Sequence, residues 1–476
     1  MQTPINPFAN IFHPRILVAV VVLATILVSI EFLTARAAEA AAFEAQNLNL
    51  TPGATTTEIN INWLSNPSQG STPHARFINP ATGKITHTAE GESERFGRGG
   101  QSNKVTVKGL RPGARYNYSV SPNGTDWSQE HDFAVPAAGA FRFAIVADVQ
   151  VTAGEQASNS VYFSAIPTTA AGWAETVGKI TEARVDLIVS LGDQIDDGPE
   201  ADTAEEYEIF FAPPVLRNIP VAPSMGNHDM RSRLYGHNFN LPNEMDARDP
   251  PGTGFEIFAR RANFFYLYNN ILFVSLNTSA KPPNRAAAEP YVALFGDTLN
   301  AAKAMYAGHY DWLVVQHHKS TTGLADHFAD HDIAAYVEAG FERLMTAHGV
   351  DLVLAGHDHV YSISKPMRQR PEDAFNVPAE DGAGTIYMTL TTASGLKYYD
   401  LFTPREEHSD YPILVNGKGS AAASADNPPL SVARYDQNYK PGYTIADVDG
   451  ATLTLTTYAL DGTIVDRVTL MPAFAK

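Results

Sequence analysis

Beyond residue 40 the hydrophobic positions change rhythm twice. From 48 to 136 they alternate. Ile59, Ile61 and Trp63 fall on one face, Glu58, Asn60 and Asn62 on the other, the two-residue period of a strand with one buried side. Val105 and Val107 alternate with Thr106 and Lys108, and Tyr116, Tyr118 and Val120 with Asn117 and Ser119. Pro52-Gly53, Pro112-Gly113 and Asn123-Gly124 punctuate these runs as turns. The spacing predicts an all-β sandwich over 48–136, followed by a linker at Pro136–Gly139.

From Ala140 the pattern becomes strand, loop, helix. Apolar runs at Phe141–Ala147, Val185–Leu191, Pro220–Met225, Trp312–Gln316 and Asp351–Ala355 predict buried strands. Ala174–Arg184 reads as a helix. Asp332–His348 reads as another, with Ile333, Val337, Phe341, Leu344 and Met345 on one side. This is the grammar of an α/β domain, here spanning 140–472. Its end returns to strands at Tyr443–Val448, Ala451–Ala459 and Thr463–Leu470, turning at Asp449-Gly450 and Asp461-Gly462, and suited to extend a sheet. Arg368–Asp381 and Ala421–Pro429 read as loops.

The first 40 residues have a different character. Arg15 precedes an apolar run, Ile16–Ile30, and Ala35-Arg36-Ala37 follows. The run is short for a spanning helix, which needs about 20 residues. Charge, apolar core and small-residue site together predict an export signal, with the mature chain beginning near Ala38. The alternative is an uncleaved anchor that touches the membrane through residues 16–33. The expected location is accordingly periplasmic, extracellular or on the cell envelope.

Composition removes several classes. The 476 residues include no Cys, which excludes disulfide scaffolds, thiolate metal sites and cysteine nucleophiles. The net charge of −18 argues against nucleic-acid binding, which needs a basic face. The 15 His remain as the supply of nitrogen ligands.

Five polar clusters each follow one apolar run: Asp148-Val149-Gln150, Gly192-Asp193-Gln194, Gly226-Asn227-His228-Asp229, His317-His318 and Gly356-His357-Asp358-His359. Each has an ordinary explanation when taken singly. Asp148 could cap a helix, Gly-Asn-His-Asp could be a turn, and His317-His318 could be a solvated pair. Ligands of α/β sheets bind at the carboxyl ends of strands, so all five can meet in one crevice. There they offer carboxylate, amide oxygen and imidazole without sulfur, a set that suits Fe, Mn or Zn and two ions better than one.

The order D-x-Q, G-D, G-N-H-D, H-H, G-H-D-H resembles the calcineurin-like metallophosphoesterase superfamily. The preceding sandwich, Gly192–Gly198 and Gly356–Tyr361 are similar to bacterial relatives of purple acid phosphatases. Leu110–Tyr116 resembles the fibronectin type III corner, where a Tyr closes a turn. The resemblance implies a four-layer α/β/β/α sandwich behind a fibronectin-III-like domain. It implies two ions, one on Asp148, His359 and the bridging Asp193, the other on Asp193, Asn227, His317 and His357. It makes His228 the group facing the phosphoester, oriented by Asp229. Two positions depart from the family. Gln150 stands where many members carry His, and Asp196 where purple acid phosphatases carry a Tyr three residues after the bridging Asp. Both are further ligand candidates.

The implied activity is metal-dependent hydrolysis of a phosphate ester by a metal-bridging hydroxide, with a phosphomonoester as the first expectation. His318 and His327 are candidates to contact substrate, as are Lys319 and His331 with less support. The rival within enzymes is a phosphodiesterase or nucleotidase on the same scaffold. The rival outside them is an inactive envelope-binding module, which would be expected to show eroded ligand positions.

Overall fold

The computed structural model describes residues 43–97, 99–153, 168–196, 203–245, 262–328, 330–369, 376–403 and 424–474. Among them no helix is long and apolar enough to cross a membrane. The predicted export segment lies outside them.

Eight strands form the N-terminal sandwich: β1 (Gln46–Pro52), β2 (Ile59–Ser65), β3 (His74–Ile78), β4 (Ile85–Glu90), β5 (Glu92–Phe96), β6 (Gly100–Val107), β7 (Arg115–Ser121) and β8 (His131–Ala134). They pair as two sheets, β1-β2-β6-β5 and β4-β3-β7-β8. Ile59, Ile61, Trp63, Phe77, Val105, Tyr118 and Val120 fill the space between. Tyr116 closes the corner by accepting the Arg111 N–H at 3.2 Å.

The polar face of β2 is not a solvent face. Asn60 and Asn62 are buried, and their amides donate to the carbonyls of Asn240 and His237 at 3.0 and 3.1 Å. Asn49 donates to Asn238 O, Ser102 to His237 O and Lys104 to Gly236 O. One sheet thus satisfies a row of backbone carbonyls just beyond the Gly226–Asp229 motif. Leaving such a buried acceptor unpaired costs about 1–3 kcal/mol, so the polar ladder fixes how the sandwich docks.

The second domain stacks two sheets face to face. One has the order β11 (Val221–Pro223), β10 (Leu187–Ser190), β9 (Phe141–Val146), β21 (Gly442–Asp449), β22 (Thr452–Ala459), β23 (Ile464–Leu470). The other runs β12 (Phe264–Tyr268), β13 (Ile271–Ser275), β14 (Trp312–Lys319), β15 (Leu352–Gly356), β19 (Ile386–Thr389), β16 (Tyr361–Ser364), β20 (Val432–Asp436). A two-residue pair, β17 (Met367–Arg368) with β18 (Val377–Pro378), stands apart. The central strands β9, β10, β11 and β13, β14, β15, β19 are parallel. The C-terminal hairpins extend the first sheet, β21 lying antiparallel to β9.

Phe143, Ile145, Leu187, Val189, Phe273, Val314 and Leu354 pack between the sheets. The outer face of the first sheet carries Trp173, Val177 and Ile180 of helix Thr169–Glu182. The outer face of the second packs Leu313, Val315 and Val353 against Phe295 and Phe341, from helices Arg285–Met305 and Phe341–His348. Helix, sheet, sheet, helix is the expected four-layer arrangement. Burial on both faces makes these strands read as continuous apolar runs rather than alternating ones. The single helix expected at Asp332–His348 is two, His331–Glu338 and Phe341–His348. Gly340 breaks it at φ 100°, a left-handed conformation that glycine adopts without penalty.

Candidate metal centre

The carboxyl ends of β9, β10, β11, β14 and β15 meet between the two sheets. Asp148 follows β9 and is fully buried. Both its carboxylate oxygens accept the His357 backbone N–H, at 3.0 and 2.9 Å. One of them stands 3.4 Å from Nε2 of His359, whose Nδ1 is held 2.8 Å from the Lys397 carbonyl. Gly356 serves this contact by close approach, since a Cβ there would sit 2.4 Å from Asp148 Oδ2. The turn itself is made by the histidines. His357 and His359 have φ of 71° and 51°, and Asp148, Gln150 and Asp193 are left-handed too, at 47°, 40° and 50°. Such backbone costs roughly 1–3 kcal/mol per non-glycine residue and concentrates where a site over-determines it.

Asp193 lies at the centre. One carboxylate oxygen accepts the His228 N–H at 2.9 Å. The other faces His318 Nε2 at 3.2 Å and Gln150 Nε2 at 3.5 Å. A Cβ on Gly226 would fall 2.0 Å from Asp193 Oδ1, so the loop after β11 can approach only as glycine. Asn227 Oδ1 is 3.0 Å from His318 Nε2, and the rings of His318 and His357 meet edge to face at 4.9 Å.

The structure corrects the choice of histidine on β14. The strand runs through Lys319, so neighbouring side chains leave opposite faces. Trp312, Val314, Gln316 and His318 point between the sheets, where His318 joins Asp193 and Asn227. His317 points outward, packs its ring on Phe341 at 5.0 Å and sets Nδ1 3.2 Å from Thr278 Oγ1. Burial, with the charge of His318, pushes His317 down to about 3, a neutral ring on the face of β14 opposite His318. His318, expected as a substrate contact, stands among the donors instead.

Two further expectations change. Asp229 does not orient the His228 ring. Its buried carboxylate accepts from Gly226 N at 2.9 Å, Gln194 N at 3.2 Å and Tyr207 Oη at 3.0 Å, tying the loops of Asp193 and Asn227 together. Burial, then the charge of Asp193, raises it to about 7. His228 Nδ1 instead hydrogen-bonds the Asp196 carbonyl, and its Nε2 lies 3.8 Å from Asp193 Oδ2. Asp196 does not stand with Asp148 and His359. Its carboxylate pairs with Lys397 Nζ at 2.8 Å. Lys319 is also committed, its ammonium paired with buried Asp332. His327 does reach the centre, stacking on His357 at 4.0 Å with Nδ1 3.0 Å from Asp330.

The residues fit a metal pair. Donor atoms of Asp193, His318 and His357 lie within 4.8 Å of one another. His357 Nε2 and Gln150 Oε1 are buried without a hydrogen-bond partner, an expensive condition for a polar atom that a cation would relieve. Without a cation, a proton does part of the work. Burial opposes charge on His318, but Asp193 and Asp148 outweigh it and raise the ring to about 9.

Comparison with known proteins bears on the two domains. Residues 141–361 match the calcineurin-like phosphoesterase family and residues 45–135 the purple acid phosphatase N-terminal domain. Tartrate-resistant acid phosphatase type 5 of Sus scrofa is 25% identical over 264 residues, 48% of this chain and 78% of its own length. A probable inactive purple acid phosphatase 29 of Arabidopsis thaliana is 28% identical over 139 residues, 28% of this chain and 33% of its own. The purple acid phosphatase of yellow lupin seeds superposes with a TM-score of 0.60 at 17% identity, covering 89% of this chain and 74% of that one. The chain therefore carries a calcineurin-like phosphoesterase domain behind the N-terminal domain of purple acid phosphatases, and these matches support a metal-dependent phosphoesterase.

Proposed function

We propose that this chain is an exported dinuclear phosphomonoesterase. One observation carries the reading: one oxygen of the buried Asp193 carboxylate faces both His318 on β14, at 3.2 Å, and Gln150 after β9, at 3.5 Å. Asp148 and His359, with the Gln150 amide oxygen, would complete the first ion site around Asp193. Asn227, His318 and His357 would complete the second. The sulfur-free set suits Fe, Mn or Zn. Bound there, the ions would supply acidified water, its pKa brought from 15.7 to about 7, and would neutralise phosphoryl charge.

The chain's own residues do the rest. The Asp196 carbonyl accepts the His228 Nδ1–H, so Nε2 gives a proton to the leaving oxygen only from the imidazolium, a form that burial disfavours and the charges of Asp193 and Asp196 favour. His327, stacked on His357, contacts a phosphoryl oxygen. A monoester dianion carries one negative charge more than a diester, and the two histidines, His228 and His327, favour it. A phosphodiesterase or nucleotidase is the alternative on the same donors.

The test compares p-nitrophenyl phosphate with bis-(p-nitrophenyl) phosphate on chain loaded separately with Zn, Mn or Fe. Higher kcat/KM for the monoester is expected, and a preference for the diester refutes the substrate class. Export rests on Arg15, the apolar run and Ala35-Arg36-Ala37. Intact mass of the protein from the producing cell should begin near Ala38, and a retained Met1 sinks cleavage.

A further inference from the structure

Asp358 sits between the two turn histidines and belongs to neither donor group. It is buried, 1% exposed. Its carboxylate reaches into the loop that follows β14. One oxygen accepts the N–H groups of Leu324 and Ala325, the latter at 2.6 Å, and the other accepts His327 N–H at 2.8 Å. The loop is shaped around this group, since a Cβ on Gly323 would fall 2.6 Å from Asp358 Oδ2. Three N–H donors converge on this one carboxylate, and to its ionised form such bonds are charge-assisted, stronger than neutral ones.

The segment so gripped carries His327. The ring lies nearly parallel to His357, at 26° and 4.0 Å, and is flanked at Nδ1 by Asp330. Fixing the His327 backbone N–H to the residue between His357 and His359 makes the histidine turn and the His327 loop one rigid piece.

We infer that Asp358 is a positioning residue that holds His327 against the substrate phosphate by binding its loop to the histidine turn. The inference rests on the role given to His327 in the proposed reaction. Asn at 358 would keep an acceptor oxygen but turn an NH2 toward N–H donors, releasing one side of the grip. Rate falls steeply when a contacting group is misplaced by about 1 Å.

The test is a double-mutant cycle on the metal-loaded chain with p-nitrophenyl phosphate, using Asp358→Asn, His327→Ala and the pair. Each protein is assayed for metal content and thermal melting. Asp358→Asn should keep both ions and lose about tenfold in kcat/KM; on the His327→Ala background the same change should cost less than about twofold, because residues acting as one unit are non-additive. Gly323→Ala disturbs the same carboxylate from the loop side and should give the same pattern if Asp358→Asn folds poorly. Equal losses on both backgrounds overturn the inference, as does loss of metal from Asp358→Asn, which would make the carboxylate a support for the ligands. A fully active His327→Ala also overturns it. If instead the unsubstituted, loaded chain hydrolyses no phosphoester, the proposed function itself has failed.

Discussion

Replacing each β14 histidine in turn gives the sharpest test of the centre. His318 is fully buried between Asp193 at 3.2 Å and Asn227 at 3.0 Å. His318→Ala removes a donor and leaves Asp193 without its nearest cation. Losing even an outer partner of a metal ligand costs 10–100-fold in affinity, so loss of the donor should exceed about 10²-fold and leave fewer than two ions per chain after gel filtration. The metal-free protein suffers as well. The rise of His318 from 6.5 to about 9 corresponds to about 3 kcal/mol at 1.36 kcal/mol per pH unit. His317→Ala does something else. It opens a cavity against Phe341, a loss of about 2–4 kcal/mol on the scale of large-to-small core changes, while metal content stays at that of the parent. The assay is metal analysis by inductively coupled plasma mass spectrometry beside thermal melting. Metal lost from His317→Ala and kept by His318→Ala would refute the facing of β14 and every assignment built on it.

Three other outcomes follow from the same contacts. The metal-free protein should lose stability as pH rises from 6.5 to 9: folded His318 has the raised pKa, so its contribution is complete below 6.5 and gone above about 9. Melting in EDTA checks this, and a profile as steep in His318→Ala assigns the effect elsewhere. Gly226→Ala should cost at least about 10²-fold in kcat/KM, because its Cβ would fall 2.0 Å from Asp193 Oδ1; near-parental activity contradicts the close approach. Iron-loaded, oxidised protein should show no intense visible band. The position of the family's phenol is Asp196, paired with Lys397, and the Tyr361 hydroxyl donates to Asp466 at 2.7 Å. A strong band would mean that another phenol reaches the metal.

What the sequence withheld has a common physical origin. The apolar runs were legible, as were the polar residues that end them, because a buried parallel strand must stop where its ligands begin. The face of each residue was not. Leu313 and Val315 are as apolar as Trp312 and Val314, since helices cover one side of β14 and a sheet the other. Nothing in Trp312–His318 therefore signals which of two adjacent histidines turns inward. Expecting the strand to stop at Gln316 hid the question, for a loop has no parity. Asp229 misled for a related reason. The resemblance made it the partner of His228, but the residue starts a short 3-10 helix, and its side chain turns back to the N–H groups of Gly226 and Gln194. Asn60 and Asn62 show the same limit at the scale of a domain. Their alternation with Ile59 and Ile61 predicted the strand, yet a polar face reads identically whether it meets water or a row of carbonyls. Periodicity reports how often a chain presents polarity, and only the partner surface decides what that polarity is for. Here the partner is the segment just beyond the Asn227–Asp229 motif, so the N-terminal sheet is part of what holds that segment in place.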